Sequence, residues 1–541
     1  MAARFDSMTF DAFAKGLLDR FLAATPDGWR PKPAYEINFK INQSTLGRVL
    51  RDELSTTDTS LSTSQRQYID DRELYSVFTA RLTEQCVPRS ASSLHVAAHD
   101  LWKYFLRRGK SSELNFQMIA RLAELILRTN AALTEALRTA YSFVFLDEFQ
   151  DTSSVHYDLL LTAFCGSTSV VTAVGDNKQR VNKWAGALEG IFEKYQTAFA
   201  ADRQCLRMNF RSAPELVRIQ GFFAAAIDNT TPPAMARPDA SGGECKAFSF
   251  ASHVDEAKYV AASVKGWIEA QKLQPRDVCI LCRQLPATYG ELLRTELARV
   301  GLPARVENEL QDLLAEPLTE LVIATLRLAG GGKHSSSWHT AVEYLCTLKG
   351  VLTDKQEIIA TDLLDKFTSL LHLTFEVKPP TSETISGVVD EIIKFYGEDA
   401  LRSAFPQYTQ GQFFQETVKA IADQLEGRLA TQDLLTALND LEGLGSIPIM
   451  TMHKSKGLEY HSVVFIGLED SALWGFAKEP LEETCGFFVA LSRAKERVWF
   501  TFSKTRPDRK GNVGVQQRTS IRKIYDLLAQ AGVAVEVIRS P

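Results

Sequence analysis

The chain has no apolar run near the ~18 residues that a membrane-spanning helix requires, so a bilayer-spanning protein is not expected. It does not open as a secretory leader does. Its start, MAARFDSMTFDAFAKGLLDRF, interrupts every apolar stretch with Asp6, Asp11, Lys15 or Asp19, whereas a leader needs a basic start and then an unbroken apolar segment. Cysteine is sparse, with 8 residues in 541, and the spacings form no disulfide framework. The lone CxxC, Cys279 and Cys282 within VCILCR, has no second pair to complete a zinc set, so two packed core thiols are expected there. These absences imply a reduced, cytoplasmic protein. Positive charge is not in excess either: 61 Lys and Arg stand against 66 Asp and Glu, a net charge of −5. That excludes a polybasic nucleic-acid coat but leaves room for a locally basic groove. No tandem repeat or low-complexity tail is present.

What is there is an ordinary globular composition, 45% apolar and 23% charged. The length exceeds one core, and at ~150 residues per domain roughly three or four are expected. Five short apolar runs are rich in β-branched residues: Phe143–Leu146, Val170–Val174, Val278–Leu281, Ile447–Met450 and Val463–Ile466. Lacking clean polar alternation, they read as parallel strands covered on both faces. Helical patterns lie between them, as in NFQMIARLAELILRTN (115–130) and TYGELLRTELARVG (288–301), the second stopped by Gly301 and Pro303. Such alternation implies α/β layers. Residues 30–110 and 331–445 lack it and look mostly helical, the second stretch being entered through Gly330, Gly331 and Gly332. The expectation is an α/β chain with two parallel-sheet cores, each interrupted by a mainly helical insertion.

The run FVFLDEFQDT ends a strand with Asp147 and Glu148. Ligands of open α/β sheets sit beyond the carboxyl ends of the strands. Two carboxylates there suit nucleotide hydrolysis, Asp147 holding Mg²⁺ and Glu148 orienting or deprotonating the attacking water. An acidic pair on a solvated strand end is equally ordinary, and the pair alone does not decide. The next run leads into GDNKQ, where Gly175 permits a tight turn, Asp176 sits at the strand end and Gln179 offers an amide to a phosphate or a water. In LRMNFRS, Phe210 can stack on a base and Arg211 can grip a phosphate with two prongs. TMHKSKGLEY and FFVALSRAKERV add Lys456, Glu459, Arg493 and Lys495.

Taken in order, these segments resemble the motifs of superfamily 1 DNA helicases of the UvrD/Rep kind, with RecB-like cousins. DEFQDT resembles motif II, VGDNKQRVNKWAGA motif III, LRMNFRS motif IV, IMTMHKSKGLEYHSVVFIGLED motif V and FFVALSRAKERV motif VI, while TFDAFA resembles the TFHSF element. Together they span nearly the whole chain. The resemblance implies two RecA-like parallel-sheet cores, the first incomplete. Residues 1–29 and 111–205 would form core 1A and 206–330 with 446–541 core 2A; 30–110 would be insertion 1B and 331–445 insertion 2B. It implies ATP and Mg²⁺ as cofactors, Asp147 and Glu148 serving the metal and the hydrolytic water and Gln179 sensing the γ-phosphate. Arg211 and Arg493 would be arginine fingers, Phe210 would stack on adenine, and Glu459, beside Gly457, would bond the ribose. Thr9, Phe10, Trp184, Thr451 and His453 would line a single-stranded DNA track, which needs no sequence preference because every base offers a π-face. The partner would be single-stranded DNA or a 3′-tailed duplex, travelled 3′ to 5′, in DNA repair or phage defence. Simpler readings stand beside these: Trp184 and Phe210 as core aromatics, His453 as a loop histidine, and Arg493 as one charge on a helix face shared with Lys495 and Arg497.

The pattern departs in one large respect. The first motif of such motors is a G-x-x-x-x-G-K-[ST] loop that cradles phosphates. Gly109-Lys110-Ser111 has its ending, but Tyr104 stands where the leading glycine belongs and LWKYFLRR reads as helix. Gly332-Lys333 is followed by His334, which is no hydroxyl ligand. The expectation is a chain that starts downstream of this loop and is ATPase-deficient alone. Either a longer reading frame or a partner chain would supply the loop, and a bare strand edge would be left near Asp147. In motif III, Asn182 and Ala185 replace an aromatic and an arginine. The alternatives are a non-catalytic DNA-binding or adaptor subunit on a helicase scaffold, or the helicase partner of a separate nuclease.

Overall fold

Thr9, Asn115 and Ser153 each accept a backbone N–H three residues on, at 3.1, 2.9 and 3.3 Å. Each thereby caps a helix, satisfying one of the donors a helix start leaves free: α1 (Phe10–Phe21), α2 (Phe116–Thr129) and α3 (Ser154–Phe164). The computed structural model describes residues 6–539 except 56, 84–91, 182–185, 352, 377–380, 410 and 509. Helix α2 is buried continuously from Met118 to Leu127, with α1 and α3 packed on it. Its charged members are paired, Arg121 with Asp158 at 2.6 Å and Glu124 with Arg128 at 2.9 Å, as buried ions must be.

Beside these helices lie two parallel strands, β1 (Phe143–Leu146) and β2 (Val170–Ala173), with Leu146 opposite Ala173. Val144, Val171 and Ala173 pack on the helices. The other face is bare: Phe143 and Phe145 are each 67% exposed, Val170 54% and Val174 47%. The expected cover on both faces is therefore absent here. Among the described residues the sheet has only these two strands, and nothing lies over the odd-numbered side chains of β1.

The second sheet meets that expectation. It holds β3 (Glu244–Phe250), β4 (Val278–Cys282), β5 (Ala304–Val306), β6 (Ile447–Thr451), β7 (Tyr460–Phe465), β8 (Ala494–Ser503) and β9 (Val535–Val537). All run parallel in the order β9-β3-β8-β7-β4-β6-β5. Helices α4 (Pro214–Ile227) and α7 (Pro480–Ser492) cover one face, α5 (His253–Gln271) and α6 (Pro286–Arg299) the other. Cys279 and Cys282 of β4 are both buried, but in the clusters of opposite faces. Three residues apart on a strand, they point to opposite sides and do not converge on one ion.

Helices fill the two stretches without alternation. Helix Ser93–Arg107, which contains most of LWKYFLRR, packs with Asp71–Phe78, and one apolar cluster runs unbroken from these helices into α1, α2 and α3. Helices Ser335–Lys349, Asp354–Glu376, Ser382–Tyr396, Phe413–Leu429 and Leu434–Glu442 surround a separate cluster. Helix Pro317–Ala329 contributes its buried side chains to the same cluster. No described helix is long and apolar enough to cross a membrane.

Candidate functional site

The carboxyl end of β1 turns sharply. Glu148 adopts a left-handed backbone, φ +49°, at a cost of roughly 1–2 kcal/mol for a residue with a Cβ. Such strain concentrates where a side chain must be aimed. Asp147 and Glu148 are both exposed, and the Glu148 N–H donates to Asp147 Oδ1 at 2.8 Å. Gln150 ties this turn to the end of β2: its amide donates to Glu148 Oε2 at 2.5 Å, and its Oε1 accepts the Asp176 N–H at 2.9 Å. Gly175 makes that approach possible, since a Cβ there would lie 2.1 Å from Gln150 Oε1 and 2.9 Å from the Phe149 nitrogen.

Gln179 follows in a short turn, its amide donating to Asp176 Oδ2 at 3.2 Å. Its Oε1 accepts from Arg493 Nη2 at 2.9 Å, a bond between the two halves of the chain. Arg493 is 2% exposed and also donates to Val489 O, Leu458 O and Ser492 Oγ at 3.1, 3.2 and 2.9 Å. Burial, then the nearby Arg211, pushes its guanidinium down to about 10, still charged at neutral pH. The helix-face reading of this arginine does not hold. Helix α7 ends at Ser492, and Lys495 and Arg497 lie on β8. The β-branched and aromatic run VWFTF favours a strand beside β7, which isolates Arg493 at the helix-to-strand corner.

Arg211 donates to Glu459 Oε2 at 2.9 Å and to Ser492 O at 3.1 Å. Lys495 meets the other oxygen of Glu459 at 2.7 Å. Its bonds to Lys495 and Arg211 hold the Glu459 carboxyl below its usual range. Phe210 is 73% exposed beside this cluster, which removes the core-aromatic reading for it; Gly457 occupies an exposed turn at φ +79°. Lys456 makes a second link between the halves, meeting Glu148 Oε2 at 3.0 Å and also Asp151.

Away from this cluster, Thr9 is spent on capping α1. The Phe10 ring lies flat on His156, centroids 5.1 Å apart, so one of its faces is occupied. Thr451 ends β6 and accepts the Lys454 N–H at 3.3 Å. His453 is held neutral, pushed down to about 4 by burial and by the Arg283 charge. Trp184, with Asn182 and Ala185, lies outside the described residues. Asp147, Glu148, Gln179, Arg211, Glu459 and Arg493 thus form one locality, whereas Thr9 and Phe10 sit at the start of α1. Sequence reasoning assigned no part to Gln150, Asp151 or the link made by Lys456. The tight spacing of DEFQDT was the available signal for the first two; nothing local announces the third, which exists only across the two halves.

Asp147 offers one ligand to a cation, while the described residues hold no group of three or more His, Cys, Asp or Glu that could bind one. Asp147 makes no ion pair among the described residues and keeps carboxylate lone pairs free at a strand end, which fits a hard cation such as Mg²⁺. A cradle of backbone N–H groups for phosphates is the part that the 541 residues lack as a G-x-x-x-x-G-K-[ST] loop.

Comparison with known proteins agrees with the motif order. Residues 2–200 match the family model of the UvrD/REP helicase N-terminal domain, and 205–427 and 414–505 that of the UvrD-like helicase C-terminal domain. Among curated relatives, a "Probable DNA helicase II homolog" of Mycoplasma capricolum is 21% identical over 509 residues, 84% of this chain and 69% of the relative. "DNA helicase II" of Haemophilus influenzae is 21% identical, covering 72% of this chain and 59% of its own length. "ATP-dependent DNA helicase Rep" of Salmonella typhimurium is 23% identical, covering 76% and 67%. The chain therefore spans about three fifths to two thirds of these relatives.

Proposed function

Because the chain belongs to the UvrD/Rep-like DNA helicase family, we propose that it is the motor portion of an ATP-dependent 3′-to-5′ helicase or translocase on single-stranded DNA. The observation that carries this reading is the pair of links across the halves, Gln179 to Arg493 at 2.9 Å and Glu148 to Lys456 at 3.0 Å. A γ-phosphate arriving there finds an amide from one half and guanidinium groups from the other. Binding then draws the halves together and hydrolysis releases them, the two-state cycle a stepping motor needs.

In this reading Asp147 would hold Mg²⁺, which would supply positive charge against the charge building on the phosphate oxygens. Glu148 orients and deprotonates the attacking water; Gln150 and Lys456 set its position. Arg493 and Arg211 reach the γ-phosphate, Phe210 stacks on the adenine, and Glu459 bonds the ribose beside the Gly457 turn. Thr9, Phe10, Trp184, Thr451 and His453 contribute to the DNA track. The division into 1A (1–29, 111–205), 1B (30–110), 2A (206–330, 446–541) and 2B (331–445) belongs to the same proposal, as does a cytoplasmic setting.

With no phosphate loop among them, these 541 residues alone turn over ATP poorly, and the bare face of β1 and β2 beside Asp147 supports this. The same absence favours a second reading, a DNA-binding adaptor on a helicase scaffold; the helicase partner of a separate nuclease is a further alternative. The test uses this chain alone with labelled oligo(dT) and ATP. Binding of the oligonucleotide with little hydrolysis is expected; failure to bind single strands sinks both readings.

A further inference from the structure

Three neighbouring strands of the large sheet end side by side, Phe465 of β7 opposite Leu281 of β4, and Cys282 of β4 opposite Thr451 of β6. The chain leaving each end builds one rim. From β4 come Arg283 and Gln284, from β6 come Met452 and His453, and from β7 comes the segment that carries Trp474. This is the exposed tryptophan among the described residues, 63% accessible, although Leu473 before it and Phe476 after it are core residues at 0% and 4%.

The ring is braced rather than loose. Its indole N–H donates to Gln284 Oε1 at 3.2 Å, and the Gln284 amide donates to Ser471 O at 3.5 Å. A Cβ on the next residue, Gly475, would lie 2.6 Å from Glu483 Oε1. That carboxylate holds Arg283 through two bonds of 2.7 and 2.8 Å, and the Arg283 charge in turn faces His453. A large aromatic group normally goes inside a fold or into an interface. Here the fold fixes its edge with a hydrogen bond and leaves the rest to solvent, beside the strand ends that carry Thr451 and His453.

We propose that Trp474 is a base-stacking platform for single-stranded DNA at this rim. A flat ring held at its edge loses little freedom on binding, and it accepts any base because stacking uses the π-face alone. The inference rests on the DNA-binding reading above and extends it to a residue outside the recognised motif positions.

The test is labelled oligo(dT) binding by the wild-type chain, Trp474→Ala and Trp474→Phe, each across a salt series. Loss of one stacked base weakens Trp474→Ala by about tenfold or more, while Trp474→Phe stays within a few-fold of wild type. The slope of log affinity against log salt is the same for all three, because no phosphate contact is removed. Wild-type affinity in Trp474→Ala overturns the platform and leaves the DNA reading standing. Equal losses in both variants, or a changed salt slope, also overturn it, since they mark a disturbed rim rather than a lost stack. A wild-type chain that binds no oligo(dT) removes both readings together.

Discussion

Arg506 offers a demanding test of how the large sheet is held. It is 4% exposed and donates to Glu469 Oε1 at 2.8 Å and Glu256 Oε2 at 2.6 Å. The glutamates are 0% and 3% exposed, and the Tyr289 ring lies 5.0 Å from the guanidinium. Arg506→Met keeps the apolar stem and removes the cation, leaving two carboxylates facing each other out of water. Breaking a buried pair by deleting one partner costs about 3–5 kcal/mol. Because burial pushes the Glu469 carboxyl up to about 7, it takes up a proton more readily once the cation is gone, and the middle of that range, about 4 kcal/mol, is expected. Hydrogen exchange in Tyr460–Phe465 and Ala494–Ser503 reads this as local opening. At ~1.4 kcal/mol per decade, protection there falls by about three orders of magnitude. The triple variant Arg506→Met, Glu256→Gln, Glu469→Gln regains most of it, because no buried charge is left unpaired. Protection within tenfold of wild type in the single variant, or no recovery in the triple, would mean that the Arg506 pairs do not hold the sheet.

The pH dependence of Glu469 follows from the same site. Burial pushes its carboxyl up to about 7, so its stabilising contribution is full below the ordinary value and is lost as pH rises through about 7; Glu469→Gln should flatten the stability curve over that window, and an unchanged slope counts against it. His453 runs the other way: pushed down to about 4, it contributes stability that is present above pH ~6.5 and lost as pH falls towards 4, which His453→Gln removes in acid-unfolding titrations. Gly175→Ala forces a methyl to within 2.1 Å of Gln150 Oε1 and should cost about 1–3 kcal/mol, seen as a lowered melting temperature; an unchanged one would mean that the β1–β2 turn yields freely. Arg493→Ala in an ATPase-competent form should lower turnover by ~10³-fold or more, the scale of an arginine finger, and a loss under tenfold would remove that role.

Strands β4 and β6 were legible in the sequence because both faces are buried, so their apolar runs are unbroken. Strands β3 and β8 were not: ECKAFSF and AKERVWFTFS begin with polar residues at a half-buried sheet end and turn apolar only farther along. Arg493 was read as part of a helix for the same reason, since local charge density hides the change from α7 to β8. The bare face of β1 is the converse case. Phe143 and Phe145 look like core residues by type, and only the two-stranded sheet exposes them. At the site, Asp147, Glu148 and Gln179 were legible because each follows a strand. The links from Gln179 to Arg493 and from Glu148 to Lys456 join residues about 300 positions apart, and no periodicity encodes them.

The proposed nucleotide-driven motor closes through Gln179 and Arg493 across two halves. Its most direct test is ATP hydrolysis, with and without oligo(dT), by this chain joined to a strand–G-x-x-x-x-G-K-[ST]–helix segment. Hydrolysis stimulated by the single strand and abolished by Glu148→Gln is expected, against near-zero turnover by the 541 residues alone. A joined form that binds both ATP and oligo(dT) yet shows no stimulation would contradict the proposed motor.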